Sequence, residues 1–204
     1  MTTLYLISGL GADRRLYNNI DIPKKFNTKF VEWIAPDPND TIPTYAGKLI
    51  KHYHIEKGSI LIGTSLGGIV AVEIAKQIEI SKVVLISSIK TSDEAPFVFK
   101  LFKLIPLIEL LPNKLLTTNA RLVAPVFGNM STDDIDLFDA MLRGSSPDFI
   151  RWAMRAILRW QNSVVPANVY HIIGDKDLIF SSKKIKGAAV ISGGTHMMVL
   201  TRAS

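Results

Sequence analysis

The stretch Ser59-Ile60-Leu61-Ile62-Gly63-Thr64-Ser65-Leu66-Gly67-Gly68-Ile69-Val70-Ala71 changes its periodicity in the middle. Ile60 to Ile62 is a short apolar run of strand character, whereas Leu66, Ile69, Val70, Val72 and Ile74 recur with helical spacing. Ser65 therefore falls on the turn between a strand and a helix. A turn this tight needs residues without side chains two positions to either side of the serine, because strand and helix close on each other there. Gly63 and Gly67 occupy those positions. The helix start then directs unpaired N–H groups and the positive end of its dipole at the hydroxyl, so an anion forming beside Ser65 is stabilised. A glycine-rich turn with an incidental serine would share the five-residue pattern, but the strand before it, the helix after it and the extra glycine at 68 favour an exposed nucleophile. Such a serine still lacks a base and an acid.

The flanking chain alternates strands and helices. Thr3 to Ile7 reads as a buried strand, and Ser8-Gly9-Leu10-Gly11-Ala12-Asp13 as the loop leaving its carboxyl end, with Asp13 able to cap a short helix over Arg14 to Tyr17. Phe30 to Ile34 reads as a second strand, Pro43 to His54 as a helix with proline in its first turn, and Lys82 to Ser87 as a fourth strand after the Ser65 unit. Apolar runs rather than strict alternation within the strands indicate a parallel sheet covered on both faces, which binds ligands at its carboxyl edge. From Ile89 to Val165 only helical spacing and breakers occur: Phe97 to Leu111, Leu115 to Phe127, Ile135 to Leu142 with Ser131 or Thr132 as its cap, and Pro147 to Trp160. Strands resume at Asn168 to Ile173 and Gly187 to Ile191. The expected organisation is a core of residues 1–88 and 166–204, with residues 89–165 inserted as a helical cap over the carboxyl edge.

Composition narrows the chemistry. With 204 residues, 48% hydrophobic and 21% charged, the chain is sized for one well-buried core. It contains no cysteine, which excludes disulfides, thiolate nucleophiles and cysteine-bound metal. The formal charge of +6 is spread along the chain without a basic run or interleaved aromatics, so no nucleic-acid partner is expected. Neither a basic amino-terminal region with a long apolar core nor an uninterrupted spanning segment is present, and the expectation is a cytoplasmic protein without stable membrane insertion.

Both late strands end on loops rich in chemistry: Gly174-Asp175-Lys176-Asp177 and Ser192-Gly193-Gly194-Thr195-His196. A serine hydroxyl becomes a nucleophile when an imidazole takes its proton, and the imidazole works best when a carboxylate fixes its tautomer. In chain order the candidates are Ser65, then Asp175 or Asp177, then His196, the order expected on a sheet of this kind. By themselves the two aspartates would pass for turn residues. His171 reads as a strand residue, His52 and His54 as surface residues near a helix end, and Asp93, in the loop after the fourth strand, as a reserve acid. Arg151, Arg155 and Arg159 line one helix face, solvated unless a carboxylate-bearing substrate meets it.

On these residues the chain resembles the α/β-hydrolase family, in its small, capped, single-domain form. Gly63-Thr64-Ser65-Leu66-Gly67-Gly68 resembles the family's nucleophile turn, Gly174-Asp175-Lys176-Asp177 its acid loop and Gly193-Gly194-Thr195-His196 its histidine loop. Ser8-Gly9-Leu10-Gly11 stands where the family has its oxyanion loop, with serine in place of the usual histidine. The resemblance implies a three-layer fold around a mostly parallel six-stranded sheet, lacking the family's first two strands. It implies Asp177 as the acid, with the backbone N–H groups of Leu10 and Leu66 as oxyanion hole. The expected function is a serine hydrolase cleaving a small, apolar carboxylic ester or related acyl substrate through an acyl-enzyme, without cofactor or metal. The same triad would also serve carbon–carbon cleavage, lyase or acyl-transfer chemistry, and the same fold could act as a small-molecule receptor. Substrate-contacting residues and oligomeric state are left open.

Overall fold

The computed structural model describes residues 1–99, 112–118 and 120–202. Strands β1 (Thr3–Ile7), β2 (Asn27–Val31), β3 (Ile60–Thr64), β4 (Lys82–Ile86), β5 (Val169–Gly174) and β6 (Ala189–Ile191) form one open sheet. Its order is β2-β1-β3-β4-β5-β6, and all five pairings are parallel. The register pairs Ile7 with Gly63 and Gly63 with Leu85, so the ends of the three central strands lie side by side. The first strand order reversal falls at β1 and β3, which places the loops after these strands at the crevice where such sheets bind ligands.

Helix α1 (Ile42–Tyr53) starts at a capping box between Thr41 and Thr44, with Pro43 in its first turn, and ends at His54 in the left-handed conformation. Helix α2 (Leu66–Gln77) is buried from Leu66 to Ile74 on every side, as a helix that is apolar all round must be. It packs with α1 against β1, β3 and β4 and joins Tyr5, Ile7, Leu61, Val83 and Leu85 in the main core. A second cluster on the other face gathers Leu4, Leu6, Leu16, Met197, Val199 and Leu200. This distribution gives three layers.

Between β4 and β5 the described residues form α3 (Asn113–Leu116), α4 (Ala120–Phe127), α5 (Thr132–Gly144) and α6 (Pro147–Arg159). Of the two candidate caps for α5, Ser131 is the one used, in a box with Asp134. The helix expected over Leu115 to Phe127 is divided into α3 and α4, and most of the one expected over Phe97 to Leu111 lies outside the described residues. Asn162 ties the exit of this segment to its entrance: its side chain donates to the carbonyls of Lys90 (2.7 Å) and Val164 (2.8 Å) and accepts from Lys76 Nζ (2.8 Å). Its own carbonyl accepts from the Ser92 N–H at 2.8 Å. Lys76 also pairs with the buried Glu73 at 3.0 Å, and Glu73 accepts from the Trp160 indole N–H at 2.8 Å.

The largest strand-boundary difference from the sequence expectation is at the second strand, while β6 starts two residues later than expected. The second strand occupies Asn27–Val31 rather than Phe30 to Ile34, because its register with β1 runs from Thr3↔Asn27 to Ile7↔Val31. Trp33 and Ile34 are apolar for another reason: they lie beyond the strand, where Ile34 N–H and C=O both bond the Tyr45 hydroxyl and Trp33 stacks on Phe149.

Candidate active site

Ser65 sits between β3 and α2 with φ 53° and ψ −118°, a conformation that side-chain-bearing residues rarely adopt. Space explains its neighbours. A Cβ at Gly63 would overlap the backbone of Gly67, and one at Gly67 would overlap the carbonyls of Ile7 and Ser8, so β1, β3 and α2 approach this closely only with glycine at both positions. Ser65 N–H donates to the Ile86 carbonyl at 3.0 Å, tying the turn to β4.

Asp177 and His196 reach Ser65 from the loops after β5 and β6. These loops are joined by Lys176 N–H to the Gly194 carbonyl (2.9 Å), Asp175 N–H to the Ile191 carbonyl (3.1 Å) and Gly193 N–H to Asp175 Oδ1 (2.6 Å). The last bond separates the two aspartates: Asp175 is an exposed turn residue, whereas Asp177 is buried against the histidine. His196 Nδ1 lies 2.9 and 3.1 Å from the two carboxylate oxygens of Asp177, and its Nε2 lies 3.0 Å from Ser65 Oγ. A carboxylate can only accept, so Nδ1 carries hydrogen and Nε2 presents its lone pair to the serine hydroxyl. Asp177 Oδ1 also accepts the N–H groups of Ile179 and Phe180, both at 2.9 Å, which holds the carboxylate in place. The rings of Phe127 and Phe180, each 5.5 Å from the imidazole, leave His196 only 2% exposed, while Ser65 is half-buried. Asp93 is exposed on a short turn of helix, and His196 takes Asp177 instead.

The loop after β1 lies against the serine. A Cβ built on Gly9 would stand 3.4 Å from the Cβ of Ser65 and 4.0 Å from its Oγ. Among the described residues, neither Leu10 N–H nor Leu66 N–H donates to an acceptor. The loop is braced by Ser8 Oγ–H to the Ala12 carbonyl (2.8 Å), Ala12 N–H to the Gly9 carbonyl (3.2 Å) and Trp33 Nε1–H to the same carbonyl (3.2 Å). Tyr17, whose phenol is pushed well above its usual range by burial, donates to the Ile7 carbonyl at 2.7 Å and lies 3.0 Å from Thr64 Oγ1. That pair links the loop after β1 to the strand carrying Ser65.

The remaining candidates are structural or lie apart. His171 is a buried strand residue that donates from Nε2 to the Ser88 carbonyl at 3.0 Å, and His52 and His54 are exposed. Arg151 and Arg155 line a cavity of about 570 Å³ with Ala12, Asp13, Trp33 and Phe149, and Arg151 donates to Asn113 at 2.7 Å. Ser65, Asp177 and His196 do not line that cavity. Arg159 lines a neighbouring one of about 400 Å³. Among the described residues no group of three or more His, Asp or Glu side chains is arranged to hold a metal ion. Trp33 and Ser88, the latter donating from Oγ to the Ser65 carbonyl at 2.7 Å, touch the site's backbone without a motif to mark them.

No protein-family model matches this chain, and no curated protein matches it significantly in sequence. Solved structures do. A hydrolase from Oleispira antarctica superposes with a TM-score of 0.74 at 15% identity, covering 100% of this chain and 87% of that one. A thermophilic esterase from Thermogutta terrifontis gives 0.70 at 15% identity, covering 98% and 85%. A lipase-esterase related protein from Clostridium acetobutylicum gives 0.68 at 18% identity, covering 99% and 90%. The chain has the α/β-hydrolase fold.

Proposed function

We propose that this protein is a serine hydrolase that cleaves a small, apolar carboxylic ester or a related acyl substrate. The observation that carries the reading is the continuous hydrogen-bonded line from Ser65 Oγ through His196 to Asp177, with both links at 3.0 Å or shorter at their best contact. The names of the structural neighbours from Thermogutta terrifontis and Clostridium acetobutylicum, an esterase and a lipase-esterase related protein, support the same chemistry.

In this reading His196 Nε2 takes the Ser65 proton as Oγ attacks the ester carbonyl. The carbonyl π electrons move onto oxygen, and the resulting oxyanion is held by the N–H groups of Leu10 and Leu66, which have no acceptor of their own among the described residues. Collapse of the tetrahedral adduct expels the alcohol, which leaves with the proton that His196 had taken. Water then attacks the acyl-Ser65 ester by the same steps, releasing the carboxylic acid and restoring the serine. Asp177 holds the tautomer throughout and stabilises the imidazolium. Residues 89–165 are assigned the role of a cap, consistent with the contacts of Phe127 with His196 and of Gly128 with Thr195. The partner is a small molecule, and the scheme needs no metal or organic cofactor.

The test is turnover of a p-nitrophenyl ester series by wild type, Ser65→Ala and Asp177→Asn, each confirmed as folded. Wild type is expected to turn over and to be labelled by a fluorophosphonate, Ser65→Ala to do neither, and Asp177→Asn to lose on the order of 10³–10⁴-fold in kcat. A folded wild type that neither hydrolyses the series nor takes the label overturns the proposal.

A further inference from the structure

In a trans peptide the C=O of one residue and the N–H of the next share a plane and point in opposite directions. The direction of the Leu10 N–H is therefore set by whatever holds the Gly9 carbonyl, and that of the Leu66 N–H by whatever holds the Ser65 carbonyl. Each of these carbonyls is gripped both from within its own turn and from a distant part of the chain. Gly9 C=O accepts from Ala12 N–H within its own turn and from the indole of Trp33, 24 residues away and beyond another strand, both at 3.2 Å. Ser65 C=O accepts from the local N–H groups of Gly68 at 3.0 Å and Ile69 at 3.3 Å, and from the hydroxyl of Ser88, 23 residues away beyond β4, at 2.7 Å. In each case the local donors are joined by one that arrives from a neighbouring strand's carboxyl end.

We propose that Trp33 and Ser88 are positioning residues for the oxyanion hole, each aiming one of its two N–H donors by holding the far end of the same peptide. The inference rests on the hydrolase reading above. Trp33 is suited to the task because its ring is itself fixed: it stacks on Phe149 at 5.0 Å and 26° and leans on Tyr45 at 6.3 Å, so the indole N–H arrives from a platform built by α1 and α6. Ser88 is fixed from behind, where its carbonyl accepts from His171. Two donors on one carbonyl also polarise the peptide, which strengthens donation by its N–H. The Ala12, Gly68 and Ile69 bonds shape the turns. The Trp33 and Ser88 bonds lock the two turns against the sheet, so both N–H groups are held before any charge develops.

Trp33→Phe removes the indole N–H and keeps an aromatic ring for the stack. Loss of a whole oxyanion donor lowers turnover by about 10²–10³-fold, so loss of its aim is expected to lower kcat by about 10-fold, with KM within about twofold. Affinity for a trifluoromethyl ketone, which forms a hemiketal oxyanion on Ser65, should fall by the same factor as kcat/KM. Ser88→Ala should act in the same way on the second donor and decides the matter if Trp33→Phe does not fold. Trp152→Phe is the control, since it loses an indole N–H donated to the Asp40 carbonyl at 2.9 Å in the same aromatic cluster but far from Gly9 in bonding. It should leave kcat and inhibitor affinity unchanged. The inference is overturned if the Trp33 and Ser88 variants keep wild-type kcat and inhibitor affinity, if only KM moves, or if Trp152→Phe loses as much. A wild type that turns over no ester removes the hydrolase reading and this inference with it, whereas an active wild type with unaffected variants removes this inference alone.

Discussion

At Ser65 the backbone holds φ 53° and ψ −118° against the preference of an L-residue, at a cost of about 1–3 kcal/mol. Ser65→Gly and Ser65→Ala should both be inactive, but the glycine variant relieves the conformation and should unfold about 1 kcal/mol later than the alanine one in urea. Equal midpoints would show that the turn is not strained. Gly67→Ala should behave oppositely. Its Cβ has no room beside the carbonyls of Ile7 and Ser8, and both are backbone, so a loss of about 3 kcal/mol or more is expected in the same titration. Ser65, His196 and the loop carrying Asp175 and Asp177 are legible as candidates in the sequence because each sits in a short segment whose glycines and flanking apolar runs declare a strand end. The choice of Asp177 over Asp175 comes from the family resemblance. Trp33 and Ser88 are not legible, because what they do depends on a bond to a residue more than twenty positions away, and an apolar tryptophan after a strand looks the same whether its N–H meets water or Gly9.

At the scale of elements, β5 carries a titratable group into the core. Burial, aided by the charge of Lys90, pushes His171 down from 6.5 to about 4, with Glu94 acting in the other direction. Because the folded value lies below the unfolded one, the unfolded chain binds the extra proton between these two values. The stability that His171 contributes by staying neutral is therefore complete above about pH 6.5 and is lost as the pH falls towards 4, by on the order of 2–3 kcal/mol. Urea midpoints of wild type and His171→Gln measured from pH 7.5 to 4 should differ in slope, with the variant flatter; parallel curves would refute it. Most strands and helices are legible because apolar runs and caps such as Ser131 and Asp13 are local signals, while the Thr41 cap of α1 emerges only in the structure. β2 lies earlier than the apolar run suggests because the apolar character of Trp33 and Ile34 serves the contact with Tyr45 and Phe149 rather than the sheet.

At the scale of the whole molecule, the sheet and the helical segment are joined through Asn162. Asn162→Ala would leave the Lys90 and Val164 carbonyls without their amide donor and Lys76 without one of its oxygens, in a place that is 6% exposed. A loss of about 2–4 kcal/mol in urea unfolding is expected, visible as a lower midpoint. A midpoint within about 0.5 kcal/mol of wild type would mean that the joint is dispensable. The sequence disclosed a long helical interruption of the strand pattern but not this clasp, because an asparagine after a helix carries no sign of what it will bind. The clasp brings Ser92 and Asn162 to within one hydrogen bond of each other, 2.8 Å from N–H to carbonyl, although seventy positions separate them. The intervening chain thus leaves and rejoins the sheet through a single doorway. If the segment is the cap proposed above, a different insert hung on that doorway could change what the molecule admits, provided it restored the places of Phe149, Trp152 and Trp160 in the main core.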